Sequence, residues 1–113
     1  MSAIVPATPG HIAALYGHTL GRTVRALAVV EGERVLGVGG IYHDDGRTVI
    51  FSKMTDDLRQ QKRILILASR KIMGWLREEA FALCDTSIPK ARDFLEHMGF
   101  EQVQGEVYRW AKR

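Results

Sequence analysis

The sequence predicts one α+β domain of the three-layer kind, a mixed, mainly antiparallel sheet flanked by helices. Three observations carry this. Between Val24 and Met54, three β-type runs follow one another, separated by glycine-containing turns. A long segment with an apolar stripe at helical spacing then leads to another short β-type run, which points to a right-handed β-α-β crossover. The last part of the chain reads as helix, glycine, hairpin.

Composition agrees with a single unit over residues 1–113: 46% of residues are hydrophobic and 26% charged. No apolar run approaches the ~20 residues that a membrane-spanning helix needs, so no membrane partner is expected. Cys84 is the only cysteine, which excludes an intrachain disulfide and fits a reducing compartment. The opening Met-Ser-Ala-Ile-Val-Pro lacks a basic region followed by an apolar stretch, so no signal peptide and a cytoplasmic location are expected. A net charge of +3 favours anionic ligands. Nucleic acid is not an expected partner, because no basic stripe or recognisable binding module is present. His11, His18, His43 and His97 lack ligand spacing, and no metal is expected.

Taken in order, Ala3-Ile4-Val5 reads as a very short strand. Thr8-Pro9 is a helix start, an N-cap threonine followed by proline at the first helical position. Ile12, Leu15, Tyr16 and Leu20 share a face, with Gly17 or Gly21 as the stop. Val24 to Val30 and Arg34 to His43 form a hairpin around Glu31-Gly32-Glu33, and both faces of its first strand are apolar. Gly37, Gly39 and Gly40 either make room for a ligand or mark a bulge, the structural reading being favoured. Asp44-Asp45-Gly46 is the next turn, and Thr48 to Met54 the third strand. A polar, mostly basic link from Thr55 to Arg63 follows.

From about Ile64 a helix of about twenty residues is expected, with Leu65, Ala68, Ile72, Trp75 and Leu76 as its core stripe. Phe81 to Cys84 is a short strand in which Cys84 reads as a buried small hydrophobe rather than a nucleophile. Asp85 reads as a helix cap rather than a general base. A helix then starts at Thr86-Ser87-Ile88-Pro89, with Ala91, Phe94, Leu95 and Met98 on one face and Gly99 as its left-handed cap. Phe100 to Val103 and Glu106 to Trp110 make a closing hairpin. Its last strand, with Tyr108 and Trp110, reads as a sheet edge that would serve a homodimer.

The binding candidate is the join between the third strand and the long helix. The first N–H groups of a helix lack intrahelical partners and carry partial positive charge. Arg59, Lys62 and Arg63 add formal charge there, making a site for an anion.

The element order, together with Ala91, Phe94, Gly99, Phe100 and Glu101 in the late helix and its exit, resembles the GCN5-related N-acetyltransferase (GNAT) superfamily. The resemblance covers nearly the whole chain from Thr8 onward. It implies acetyl-CoA as co-substrate and an acetyl transfer to a small-molecule or protein amine. The pantetheine arm would pair with the backbone at Lys53, Met54 and Thr55. The pyrophosphate would sit on Arg59, Gln60, Gln61, Lys62, Arg63 and Ile64, the best overlay of the family's Gln/Arg-x-x-Gly-x-Gly/Ala loop. Two departures stand out: Lys62 and Ile64 occupy the small positions, and Leu95 occupies the place of a tyrosine that can protonate the departing thiolate. Tyr42 and Tyr108 are the replacement donors the sequence offers. A narrower resemblance, through Phe94-Leu95-Glu96-His97-Met98-Gly99 and the glycine-poor loop, is to GNAT-like internal virion proteins of short-tailed phages. It implies the alternative of a non-catalytic structural or assembly protein, associated with the virion.

Overall fold

The computed structural model describes residues 1–18, 21, 23–84, 88 and 90–112. The strands are β1 (Ser2–Pro6), β2 (Arg25–Glu31), β3 (Arg34–Asp44), β4 (Arg47–Met54), β5 (Glu79–Leu83), β6 (Glu101–Gln104) and β7 (Val107–Ala111). The helices are α1 (Pro9–Tyr16), α2 (Asp56–Gln60), α3 (Lys62–Met73) and α4 (Ala91–His97). All seven strands lie in one sheet of order β1-β2-β3-β4-β5-β7-β6. Every neighbouring pair is antiparallel except β4 and β5, which the α2–α3 crossover makes parallel.

The early elements follow their local signals. Thr8 caps α1, its side chain accepting from the His11 N–H, and Gly17 ends the helix at φ 81°. Asp45 and Gly46 both take positive φ in the tight β3–β4 turn, as a two-residue hairpin of right-handed twist requires. Leu20, expected on the α1 face, and Asp85, Thr86, Ser87 and Pro89, expected to open the late helix, lie outside the described residues.

Strand alternation divides the core into layers. On one face Ile12 of α1 packs with Ala28 and Val38, joined by Tyr16 and Phe51. On the other, Leu58 and Ala68 of the crossover pack with Val29 and Leu36. The C-terminal half has its own cluster, with Leu95 and Met98 of α4 over buried Ala82, Cys84, Phe100 and Tyr108.

The glycines of β3 serve this packing. A Cβ on Gly37 would lie 2.2 Å from the Leu58 Cδ2, and one on Gly39 3.2 Å from the Ile72 Cδ1. At Gly40 it would meet the Arg25 carbonyl oxygen at 2.1 Å, so β2 and β3 close only because no side chain intervenes. A bulge falls beside them: Val29 opposes Gly37 and Val30 opposes Val35, leaving Leu36 as the extra residue.

Three expectations need correction. The link after β4 is not a loop, because Asp56–Gln60 forms a short helix capped by Thr55. The long helix has 12 residues, not about twenty. Trp75 and Leu76 lie beyond it in tight turns, their N–H groups bonding to Ile72 and Met73. The last strand is not an edge: β7 lies between β5 and β6, and Tyr108 is 2% exposed. The edge at this end of the sheet is β6, whose four residues are all exposed, and the other edge is β1. No described helix is long and apolar enough to cross a membrane.

Candidate functional site: the end of β4 and the start of α3

The end of β4 has one paired and one open edge. The Thr55 N–H and Oγ1 both donate to the carbonyl of Leu36, at 2.8 and 2.9 Å, so the bulge in β3 receives the end of β4. Along an antiparallel pair, successive residues alternate in the direction of their backbone groups. Phe51 and Lys53 therefore share the β3-facing register of Thr55, and the backbone groups of Ser52 and Met54 point the other way, toward β5. There the ladder holds a single register pair, Val49 with Phe81. No β5 residue pairs with Ser52 or Met54, so among the described residues this edge has no strand partner, although the Met54 carbonyl accepts from Arg59.

Between strand and cradle stands α2, whose charges are internally matched. Thr55 accepts from the Leu58 N–H at 3.4 Å, and Asp56 and Asp57 occupy the first turn, where the helix dipole favours them. Arg59 pairs with Asp56 and donates from Nη2 to the Met54 carbonyl at 3.1 Å. Asp57 pairs with Arg34 across the turn. Leu58 is 3% exposed and anchors the helix under Gly37.

The start of α3 is the reverse. Gln61 breaks the chain from α2 at φ −92°, ψ 66°, and its side chain makes no cap hydrogen bond. Instead the Ser2 Oγ donates to the Gln61 Oε1 at 2.7 Å, drawing that side chain toward β1. The first α3 amide with a carbonyl partner is that of Leu65, on Gln61 at 3.1 Å. The amides of Lys62, Arg63 and Ile64 precede it and have no residue one turn earlier in the same helix. The first turn contains no acid, and Lys62 and Arg63 are exposed. A depression of about 470 Å³ borders this end, lined by Ser2, Gln60, Gln61, Lys62, Arg63, Ile64 and Leu67.

These residues suit an anion. Among the described non-glycine residues only Asp45 and Lys90 have positive φ, so Lys62 and Ile64 carry no left-handed strain at the family's small positions. Ile64 packs against the cluster of Val29, Leu36, Leu58 and Ala68 while also lining the depression. Of the residues expected to form the site, Gln60, Gln61, Lys62, Arg63 and Ile64 come together around the depression. Met54 and Thr55 lie at the strand end, where the Thr55 amide is committed to Leu36. Arg59 is turned back onto Met54 and Asp56, and the Lys53 side chain leaves for the α1 face, its Nζ 5.1 Å from the Tyr16 ring centroid.

The replacement proton donors separate. Tyr108 is buried in the α4 cluster alongside Leu95. Tyr42 stands on the α1 face, 5.9 Å from the Phe51 ring. Tyr16, at the end of α1, completes this group at 6.4 Å from Phe51. Burial first, and Tyr42 second, raise the Tyr16 pKa above its ordinary 10.0. Nothing local singled out Tyr16 and Phe51; both fitted their core patterns, and only the tertiary fold brings them beside the β4 end. Among the described residues, no cluster of three or more His, Cys, Asp or Glu has the arrangement of a metal site.

No family model and no curated protein matches this sequence. Among solved structures, the chain is similar to a probable acetyltransferase of the GNAT family from Chromobacterium violaceum. That match has a TM-score of 0.63 and 14% identity, over 97% of this chain and 87% of the other. It is also similar to an acetyltransferase of the GNAT family from Staphylococcus aureus Mu50, with a TM-score of 0.64 and 9% identity over 100% of both chains. At such identities the likeness is one of fold. With its parallel β4–β5 pair, helical crossover and closing hairpin, the chain has the fold of the GCN5-related N-acetyltransferase superfamily.

Proposed function

We propose that this protein is an N-acetyltransferase that uses acetyl-CoA as co-substrate and an amine, small or protein-borne, as acceptor. The observation that carries the reading is the uncapped start of α3, with Lys62 and Arg63 exposed in its first turn and no acid there. The two GNAT-family structures of like fold support it.

When bound, acetyl-CoA supplies an activated acetyl group, which an unprotonated amine converts to an amide with release of the CoA thiol. The protein's part is chiefly orientation and electrostatics. Lys62 and Arg63, with the amides of Lys62 to Ile64, hold the pyrophosphate by charge-assisted hydrogen bonds. Backbone groups of Ser52 and Met54 align the pantetheine arm, and an N–H on this edge donates to the oxygen that gains negative charge. Arg59 shapes the corner by tying the Met54 carbonyl to α2. Leu95 has no proton to give, so the departing sulfur takes its proton from water or another side chain.

Calorimetric titration with acetyl-CoA, using CoA and ATP as controls, tests this reading. Micromolar binding specific to the CoA species, about −8 kcal/mol, is expected, and it weakens about a hundredfold in the double variant Lys62→Glu/Arg63→Glu. Absence of heat up to millimolar ligand overturns it. Leu95, packed into the core where a proton donor would stand, favours the second reading, a non-catalytic structural or assembly protein on the same fold. That reading gains if no CoA species binds and a defined protein partner is found.

A further inference from the structure

We propose that Tyr16, Tyr42, Phe51 and Lys53 form the acceptor subsite, and that they select an aromatic amine bearing a carboxylate, such as a free aromatic amino acid. This rests on the acetyltransferase reading and names its missing substrate class.

The first argument is access. The open edge at Ser52 and Met54 can be approached from either face of the sheet. On the α3 and α4 face, Ile50, Met73 and Leu95 pack against buried Ala82, Cys84, Phe100 and Tyr108, so side chains fill the approach as far as Ile50, and beyond it Ser52 is exposed. Alternation places Phe51 and Lys53 on the opposite face, on either side of Ser52. An acceptor that reaches the edge from the α1 face passes over these two side chains, which leaves the α3 and α4 face to the cofactor.

The second is the chemistry of that floor. Tyr16 meets Phe51 edge-on at 61° between ring planes, and Tyr42 meets it at 38°. All three rings are half-buried, held in place yet partly open to solvent. Such a floor suits a flat apolar body. Raised by burial, the Tyr16 hydroxyl stays protonated through neutral pH and remains a hydrogen-bond donor.

The third is charge. Lys53 is exposed, and its Nζ sits over the Tyr16 ring at the rim of this floor. Among the described residues no carboxylate forms an ion pair with it. Arg47 lies farther along the same face, its guanidinium 5.5 Å from the Phe81 ring centroid. A polycationic amine would meet like charge here, whereas a carboxylate would find a counter-ion beside the aromatic floor.

The test is a set of initial rates with acetyl-CoA and three kinds of acceptor: phenylalanine, tyrosine and tryptophan; 2-phenylethylamine and tryptamine; and spermidine. The amino acids should exceed their decarboxylated counterparts at least tenfold in kcat/KM, with spermidine slowest. Lys53→Glu should erase that preference through KM, and Tyr16→Leu should raise KM for both aromatic groups. Equal rates with and without the carboxylate, preference for spermidine, or an unchanged profile in Lys53→Glu would overturn the proposal. Saturation-transfer NMR of phenylalanine against 2-phenylethylamine, without acetyl-CoA, judges the subsite apart from turnover. Loss of CoA binding with retained phenylalanine selectivity would sink the enzyme reading alone. CoA binding with no phenylalanine selectivity would sink the subsite alone.

Discussion

Two helix starts lie six residues apart in the chain, and they are built on opposite principles. At α2, Thr55 caps, Asp56 and Asp57 answer the dipole, and Arg59 satisfies Asp56 and a strand carbonyl. At α3, no side chain caps, no acid answers the dipole, and two cations oppose it. The first is arranged for stability of the free protein. The second, on the proposed reading, gains its stabilisation when an anion arrives. The difference teaches where to look: a helix terminus that fails to satisfy itself, next to one that does, marks a ligand more securely than charge alone.

The comparison can be broken at its anchor. Leu58 is 3% exposed and fixes α2 against Gly37, so Leu58→Ala should cost about 3 kcal/mol, read as a fall in the denaturant midpoint. The next effect runs in two directions at once. Lys62→Glu/Arg63→Glu should weaken CoA binding about a hundredfold. It should also raise the stability of the ligand-free protein by about 1 kcal/mol, because acids at a helix start follow the dipole. A variant that loses both binding and stability would show that these cations support the fold and refute the contrast.

Thr55→Ala should cost about 1 kcal/mol through the lost cap, measured by thermal unfolding. The corresponding change at the other helix, Gln61→Ala, removes no cap and should have the smaller effect. The smallest effect is alkaline. The Tyr16 pKa is raised on folding, so the folded state holds its proton more tightly than the unfolded one. That contribution is fully present below the ordinary value of 10.0 and is lost as pH rises through the folded pKa. Tyr16→Phe should therefore flatten the loss of stability at high pH, followed by circular dichroism.

Much of the fold was legible because its signals are local. Thr8-Pro9 and Gly17 bound α1, Asp45-Gly46 sets the hairpin, and Gly99 at φ 96° ends α4, each through the backbone of one or two residues. The α2 helix was missed although its cap was visible, Thr55 before two acids. Five residues with Leu58 as their only apolar member show no periodicity, so the segment reads as a polar link. The length of α3 was overestimated for another reason. Trp75 and Leu76 continue as turns bonded three residues back, a spacing that extends the apolar stripe without extending the helix. That β7 is interior depends on strand order, which no residue of β7 encodes.

The candidate site divides in the same way. The cations at Lys62 and Arg63 were legible as charge at a helix start. That Arg59 folds back onto Met54, that Ile64 packs inward, and that Lys53 leaves for the other face all depend on register and on contacts between distant elements. Alternation along β4 turns neighbouring residues to opposite faces, and sequence adjacency conceals it.

One contact bears on how the protein should be handled at the bench. Ser2 lines the depression at the α3 start and bonds to Gln61 at its break. An affinity tag or fluorescent label attached next to Ser2 would hang over the depression, and a histidine tag would bring its own metal and charge to the proposed phosphate site. Titrations are better made with a tag at the opposite end of the chain, or with one removed by cleavage that restores Ser2.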